Sequence, residues 1–150
     1  MIILGLASLW ALYHSIKNKN LITAIITLGL IAGIVLVFIN FNNSINTGVI
    51  VFLIFATIAL LYSFLYFKFP FDKRLILAFI ILPIIFYWIF HLRQLPGANF
   101  VWMGLFVPFF ALLYLITKPV NLKNEWGFII ILLAEAFTHI YPIIIQIKIF

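Results

Sequence analysis

Gly48–Leu92 reads GVIVFLIFATIALLYSFLYFKFPFDKRLILAFIILPIIFYWIFHL. Two apolar runs, Gly48–Phe67 and Leu75–Leu92, flank a short gap, Lys68–Arg74, that holds Lys68, Asp72, Lys73 and Arg74. An apolar run of about 20 residues is the length a helix needs to cross a ~30 Å hydrocarbon core. The runs are continuous and not alternating, which argues against the strands of a membrane barrel. Backbone in lipid must satisfy its own hydrogen bonds, and this selects helix.

The same pattern extends outward in both directions. Further runs are Met1–Ile16, Leu21–Ile39, Ala98–Thr117 and Trp126–Ile147, and the remaining gaps are Lys17–Asn20, Asn40–Thr47, Arg93–Gly97 and Lys118–Glu125. No gap has room for a soluble domain, so residues 1–150 form one polytopic unit. The chain is 67% hydrophobic and 8% charged, with a mean hydropathy of +1.33; soluble domains are about 45–50% apolar and about 25% charged. A chain this small cannot bury that much apolar surface in itself. The expected fold is an all-α integral membrane bundle of six transmembrane helices, with the lipid bilayer as its principal partner. The first run spans about 24 Å, and snorkelling of Lys17 and Lys19 closes the shortfall. It lacks the basic start and small-residue cleavage pattern of a signal peptide and reads as a retained span.

Charge sets the expected orientation. Gaps one, three and five hold Lys17, Lys19, Lys68, Lys73, Arg74, Lys118 and Lys123; Arg93 and Lys148 lie on the other side. The positive-inside rule makes the Lys17/Lys19, Lys68/Lys73/Arg74 and Lys118/Lys123 loops cytoplasmic, with both termini outside, in a plasma (inner) membrane. The net charge of +6 never builds a basic stripe, which excludes nucleic acid and suits anionic headgroups. The absence of cysteine excludes disulfides and thiolate chemistry. The two halves, three runs each, have opposite orientations and permit a 3+3 arrangement, although no residue-level similarity links them. Pro83, Pro108 and Pro142 fall in the last three runs. Proline kinks a helix, so either a cavity or moving part lies in the C-terminal half or neighbouring helices simply absorb the kinks.

One run carries a polar stripe. Glu135 lies near the middle of the sixth run, with His139 at i+4 and Gln146 at i+11 on the same face and Thr138 beside them. An ionisable group at that depth is expensive and is by default a functional hypothesis. Tyr87 and His91 form a matching stripe in the fourth run. Contact between the two runs would make an outward-facing path for a solute or proton from Glu135, His139, His91, Tyr87, Gln146 and Thr138. Glu135, His139 and His91 are also the set that would ligate a metal, and the two histidines the pair that would hold a haem. The plainer alternative is that Glu135 bonds a neighbouring helix and fixes packing. His14, with Trp10 and Lys17, reads as an anchor at the inner interface. Gly29 and Gly33 form a GxxxG pair for close packing, within the bundle or in a homo-oligomer. Asn42-Asn43-Ser44 matches a glycosylation sequon. Asp72 and Glu125 read as solvated surface charges.

No hydrolase motif is present, which argues against an enzyme. The expected function is transport- or channel-type handling of a small neutral solute or proton. The alternatives are an accessory subunit of a larger membrane complex and a metal- or haem-binding membrane enzyme; no cofactor is expected.

Overall fold

The computed structural model describes residues 2–39, 45–66, 69–96, 98–117 and 120–148. All regular structure among them is helical: α1 (Ile2–Asn18), α2 (Leu21–Ile39), α3 (Ile45–Leu65), α4 (Phe71–Leu92), α5 (Ala98–Val101), a 3-10 segment (Trp102–Phe106), α6 (Val107–Thr117) and α7 (Trp126–Lys148). Three helices, Leu21–Ile39, Thr47–Leu65 and Phe71–Leu92, are long and apolar enough to cross a membrane. Trp102–Leu115 and Trp126–Pro142 are shorter apolar stretches. The sequon residues Asn42, Asn43 and Ser44, and the loop cations Lys68 and Lys118, lie outside the described residues.

Two boundaries differ from the sequence expectation for stated reasons. The fourth helix begins at Phe71 and takes Asp72, Lys73 and Arg74 into its first turn. Pro70 caps it in an extended conformation, φ −60° and ψ 152°; a proline there sacrifices no helical hydrogen bond. The fifth run is not one helix. Pro108 is the second residue of α6 and has no N–H to offer the turn before it. The chain ahead of it tightens into the 3-10 segment, which packs against α4 and α7. Pro83 and Pro142, by contrast, lie inside continuous helices.

Packing is closest between α2 and α3. A Cβ on Gly33 would stand 2.7 Å from the backbone nitrogen of Phe52, and one on Gly29 would run into the Phe55 ring. The GxxxG pair is thus consumed inside the bundle. In an apolar surrounding, close van der Waals contact of this kind is what holds helices together. α1 lies along α7. There Gly127 leaves room for Ser15 Oγ, which would be 2.5 Å from an added Cβ. Ser15 donates to Thr27 Oγ1 at 3.1 Å, and Thr27 donates on to the Thr23 carbonyl at 2.7 Å.

The first, third and fifth gaps gather at one end of the bundle. Asn18 Nδ2 donates to the Lys123 carbonyl at 2.7 Å, and Lys73 Nζ lies 2.9 Å from Glu125 Oε2. Large apolar side chains face outward along the helices, among them Leu9, Ile25, Leu28, Ile54, Phe79, Phe86, Phe110 and Leu113.

Candidate functional site

Glu135 and His139 occupy successive turns of α7. His139 Nε2 is 3.0 Å from Glu135 Oε1. With the Nε2–H tautomer, His139 donates to the Glu135 carboxylate and leaves Nδ1 as an acceptor; the other tautomer, with a protonated carboxyl, reverses both roles. Tyr87 of α4 fills that position, its hydroxyl 3.1 Å from Nδ1. The result is a hydrogen-bonded chain of Tyr87, His139 and Glu135 that crosses from α4 to α7. Thr138 Oγ1 donates to the Glu135 carbonyl at 2.8 Å, one helical turn back. The Glu135 side chain is 9% exposed and that of His139 28%.

A cleft of about 230 Å³ opens beside this chain. Its apolar walls come from Leu4 of α1, Gly33, Ile34, Val37 and Phe38 of α2, and Val49 and Phe52 of α3. Trp88, Glu135, Thr138 and His139 supply its polar side. Gly33 serves two purposes here, since the missing side chain permits the α2–α3 approach and also leaves space in the cleft. Trp88 stands edge-on to His139, with ring centroids 5.1 Å apart. Its indole Nε1 is buried and has no acceptor among the described residues, at a cost of about 1–3 kcal/mol. Trp88 was not among the expected site residues. The available signal was its position next to Tyr87 and three residues before His91, in an apolar run where an indole N–H has few partners.

His91 reaches this region only at its edge. It is exposed, stacks on Tyr87 at 5.8 Å and meets Trp88 edge-on at 6.0 Å. Among the described residues no three His, Asp or Glu side chains converge in a way that could hold a metal ion. Both ring nitrogens of His139 are engaged, by Tyr87 and by Glu135. The Gln146 side chain lies outside the described residues.

His14 belongs to the opposite end. It stacks on Trp10 at 4.9 Å and contacts Asn18, which bonds the Lys123 carbonyl. A second polar cluster at this end corrects the expectation of solvated charges. Glu125 is fully buried, and its partner Lys73 is 10% exposed at the side chain. Phe69 covers the ammonium, with its ring centroid 4.0 Å from Nζ. Neither Glu125 oxygen has a further hydrogen bond among the described residues. The physical reason is position. Glu125 closes the turn that leads into α7, its N–H bonded to the Leu122 carbonyl at 2.9 Å, and that turn is folded against the start of α4. One acidic residue in each of two basic gaps was the available hint.

Apart from the hydrogen-bonded Ser15, Thr27 and Thr23, the interior between the two clusters is mostly apolar. Ile26, Leu30, Leu77, Ile80, Ile81, Phe128, Ile129, Ile131 and Leu132 are all fully buried. Comparison with protein-family models, curated proteins and solved structures found no match.

Proposed function

We propose that the chain is a polytopic integral membrane protein of transport or channel type, which admits a small neutral solute or a proton to a cleft at its outer side. Six membrane segments with both termini outside account for the outward-facing apolar side chains and for the gathering of the basic gaps at one end. The observation that carries the reading is the Tyr87–His139–Glu135 chain beside the cleft. A carboxylate held away from water is retained where its charge or proton is used. Its partner imidazole can pass a proton between the Tyr87 hydroxyl and the carboxylate without moving either helix. The apolar layer beneath the cleft makes it a vestibule that ends inside the molecule, so passage to the inner side requires the helices to repack.

The test is flux in reconstituted liposomes with an entrapped pH dye. Glu135→Gln keeps the shape and the acceptor oxygen but removes the titrating group. It is expected to abolish proton-linked flux while inserting and folding as the parent does. Flux unchanged in that variant would sink the proposal.

A further inference from the structure

We infer that the Lys73–Glu125 pair is the latch of an inner gate. It holds the inner end of α4 against the turn that leads into α7 while the cleft is open to the outer side. Its parting is the step that lets a solute leave the cleft inward. This rests on the reading of the cleft as the solute site and assigns the gate that closes the far end of it. Lys73 and Glu125 act through the position of the two helices and not by contact with the solute.

Three observations converge on it. The first is placement. Two polar links join α4 to α7 and its leading turn: Lys73 to Glu125 at one end, and Tyr87 to His139 beside the cleft. Tyr87 stands 14 residues beyond Lys73, and His139 stands 14 residues beyond Glu125, about 21 Å of helical rise in each case. Glu125 already belongs to that rise, since its carbonyl accepts from the Ile129 N–H at 3.1 Å. Between the links Leu77, Ile80 and Ile81 of α4 and Phe128, Ile129 and Leu132 of α7 are buried. Contact between such side chains is non-directional, so the polar links are what single out one arrangement of the two helices. The second observation is the chemistry of the inner link. A buried ion pair gives no stability over well-packed hydrocarbon of the same volume, so an end sealed for good would be sealed better without it. The Glu125 carboxylate is fully buried, with no further hydrogen bond at either oxygen among the described residues, which raises the closed arrangement in free energy. When the pair parts, both charges regain water and offset the lost contact, whereas a hydrocarbon seam that parts gains nothing from water. The third is access. A cavity of about 230 Å³ at this end is lined by Phe69, Pro70, Lys73, Asn121, Lys123 and Asn124, among others. Lys73 thus borders space open to solvent and bonds the buried carboxylate.

The chain has no cysteine, so single introduced cysteines report on each end without background. Val37 lines the cleft, and Ile76 is buried one turn along α4 from Lys73. Val37→Cys and Ile76→Cys are made separately, and the probe is a small charged methanethiosulfonate. The protein is held in nanodiscs, where the probe reaches both faces. With the pair intact, position 37 is expected to react readily and position 76 slowly. Glu125→Gln is expected to speed modification at position 76 about tenfold and to slow it at position 37 about threefold. The changes are opposite because the two ends of an alternating path do not open together. Faster modification at both positions, the mark of general loosening, overturns the latch, and so does a change at neither. Lys73→Met/Glu125→Leu is the second arm, because apolar partners keep the packing without the charges. It is expected to leave position 37 reactive and position 76 protected while flux falls about tenfold. Undiminished flux in that variant also overturns the latch. The labelling is separate from flux. Opposed labelling changes in a protein whose flux ignores Glu135 support the latch and count only against the role given to Glu135. Glu135-dependent flux without opposed labelling overturns the latch alone.

Discussion

Lys73 stands in the first turn of α4, where the helix dipole disfavours a cation. What holds it there is Glu125, 2.9 Å away and fully buried. Removal of two charges from water costs several kcal/mol, and mutual attraction offsets this only while both partners are present. Glu125→Gln is therefore expected to destabilise the protein by about 3 kcal/mol. The double variant Lys73→Met/Glu125→Leu is expected to recover most of that loss. Reversible unfolding in mixed micelles measures both, and unchanged stability in the single variant would mean that the pair is not desolvated as described. The contrast with Glu135 explains what sequence can convey at this scale. Glu135 was legible because it interrupts an apolar run and has His139 one turn away. Glu125 was not, because burial at a loop depends on which other loop folds over it, and neither hydropathy nor helical spacing encodes that contact.

At the scale of elements, the α2–α3 pair depends on absent side chains. Gly33→Ala would place a methyl group 2.7 Å from the Phe52 nitrogen, a backbone atom that moves only if the whole helix moves. A loss of about 1–3 kcal/mol is expected. Gly5→Ala on α1 is the control. Nothing stands within 4 Å of the added carbon, and alanine in a helix is favoured over glycine by up to about 1 kcal/mol. The same unfolding assay should give opposite signs for the two. The GxxxG spacing announced close approach but not its partner, since a pair of small residues fits any smooth surface. The fifth run shows a different limit. Its apolar composition is uniform across the break at Pro108, so hydropathy reads one span where the backbone makes three pieces. Only the missing proline N–H distinguishes them, and its effect lies upstream of the residue itself.

For the whole molecule, alternating basic gaps gave an arrangement, and the described loops agree with it in grouping: Asn18 meets Lys123, and Lys73 meets Glu125. The proposed embedding adds a direction, with both ends outside. A reporter enzyme fused after Ile149, active only on the outer side, is expected to be active, and one placed in the 118–125 loop inactive. The reverse pattern would invert the topology and turn the cleft inward. What composition could not convey was the pairing of α1 with α7 and of α2 with α3, because helices that are apolar on every face carry no stripe to say which side is whose.

The apolar layer between Glu135 and Glu125 has an electrical consequence. Along the chain the two residues are separated by about 15 Å of helical rise, with Trp126, Gly127 and a run of aliphatic and phenyl side chains between them. In the proposed embedding this layer is a dielectric slab, across which a transmembrane voltage falls steeply. Glu135, beside an open vestibule, follows the potential of the outer solution, and the Lys73–Glu125 pair follows that of the inner one. A charge driven from one level to the other would gain about 2.3 kcal/mol per 100 mV. Under the proposed function the same slab would make the protein a capacitor at rest, one that would conduct only while its helices are parted.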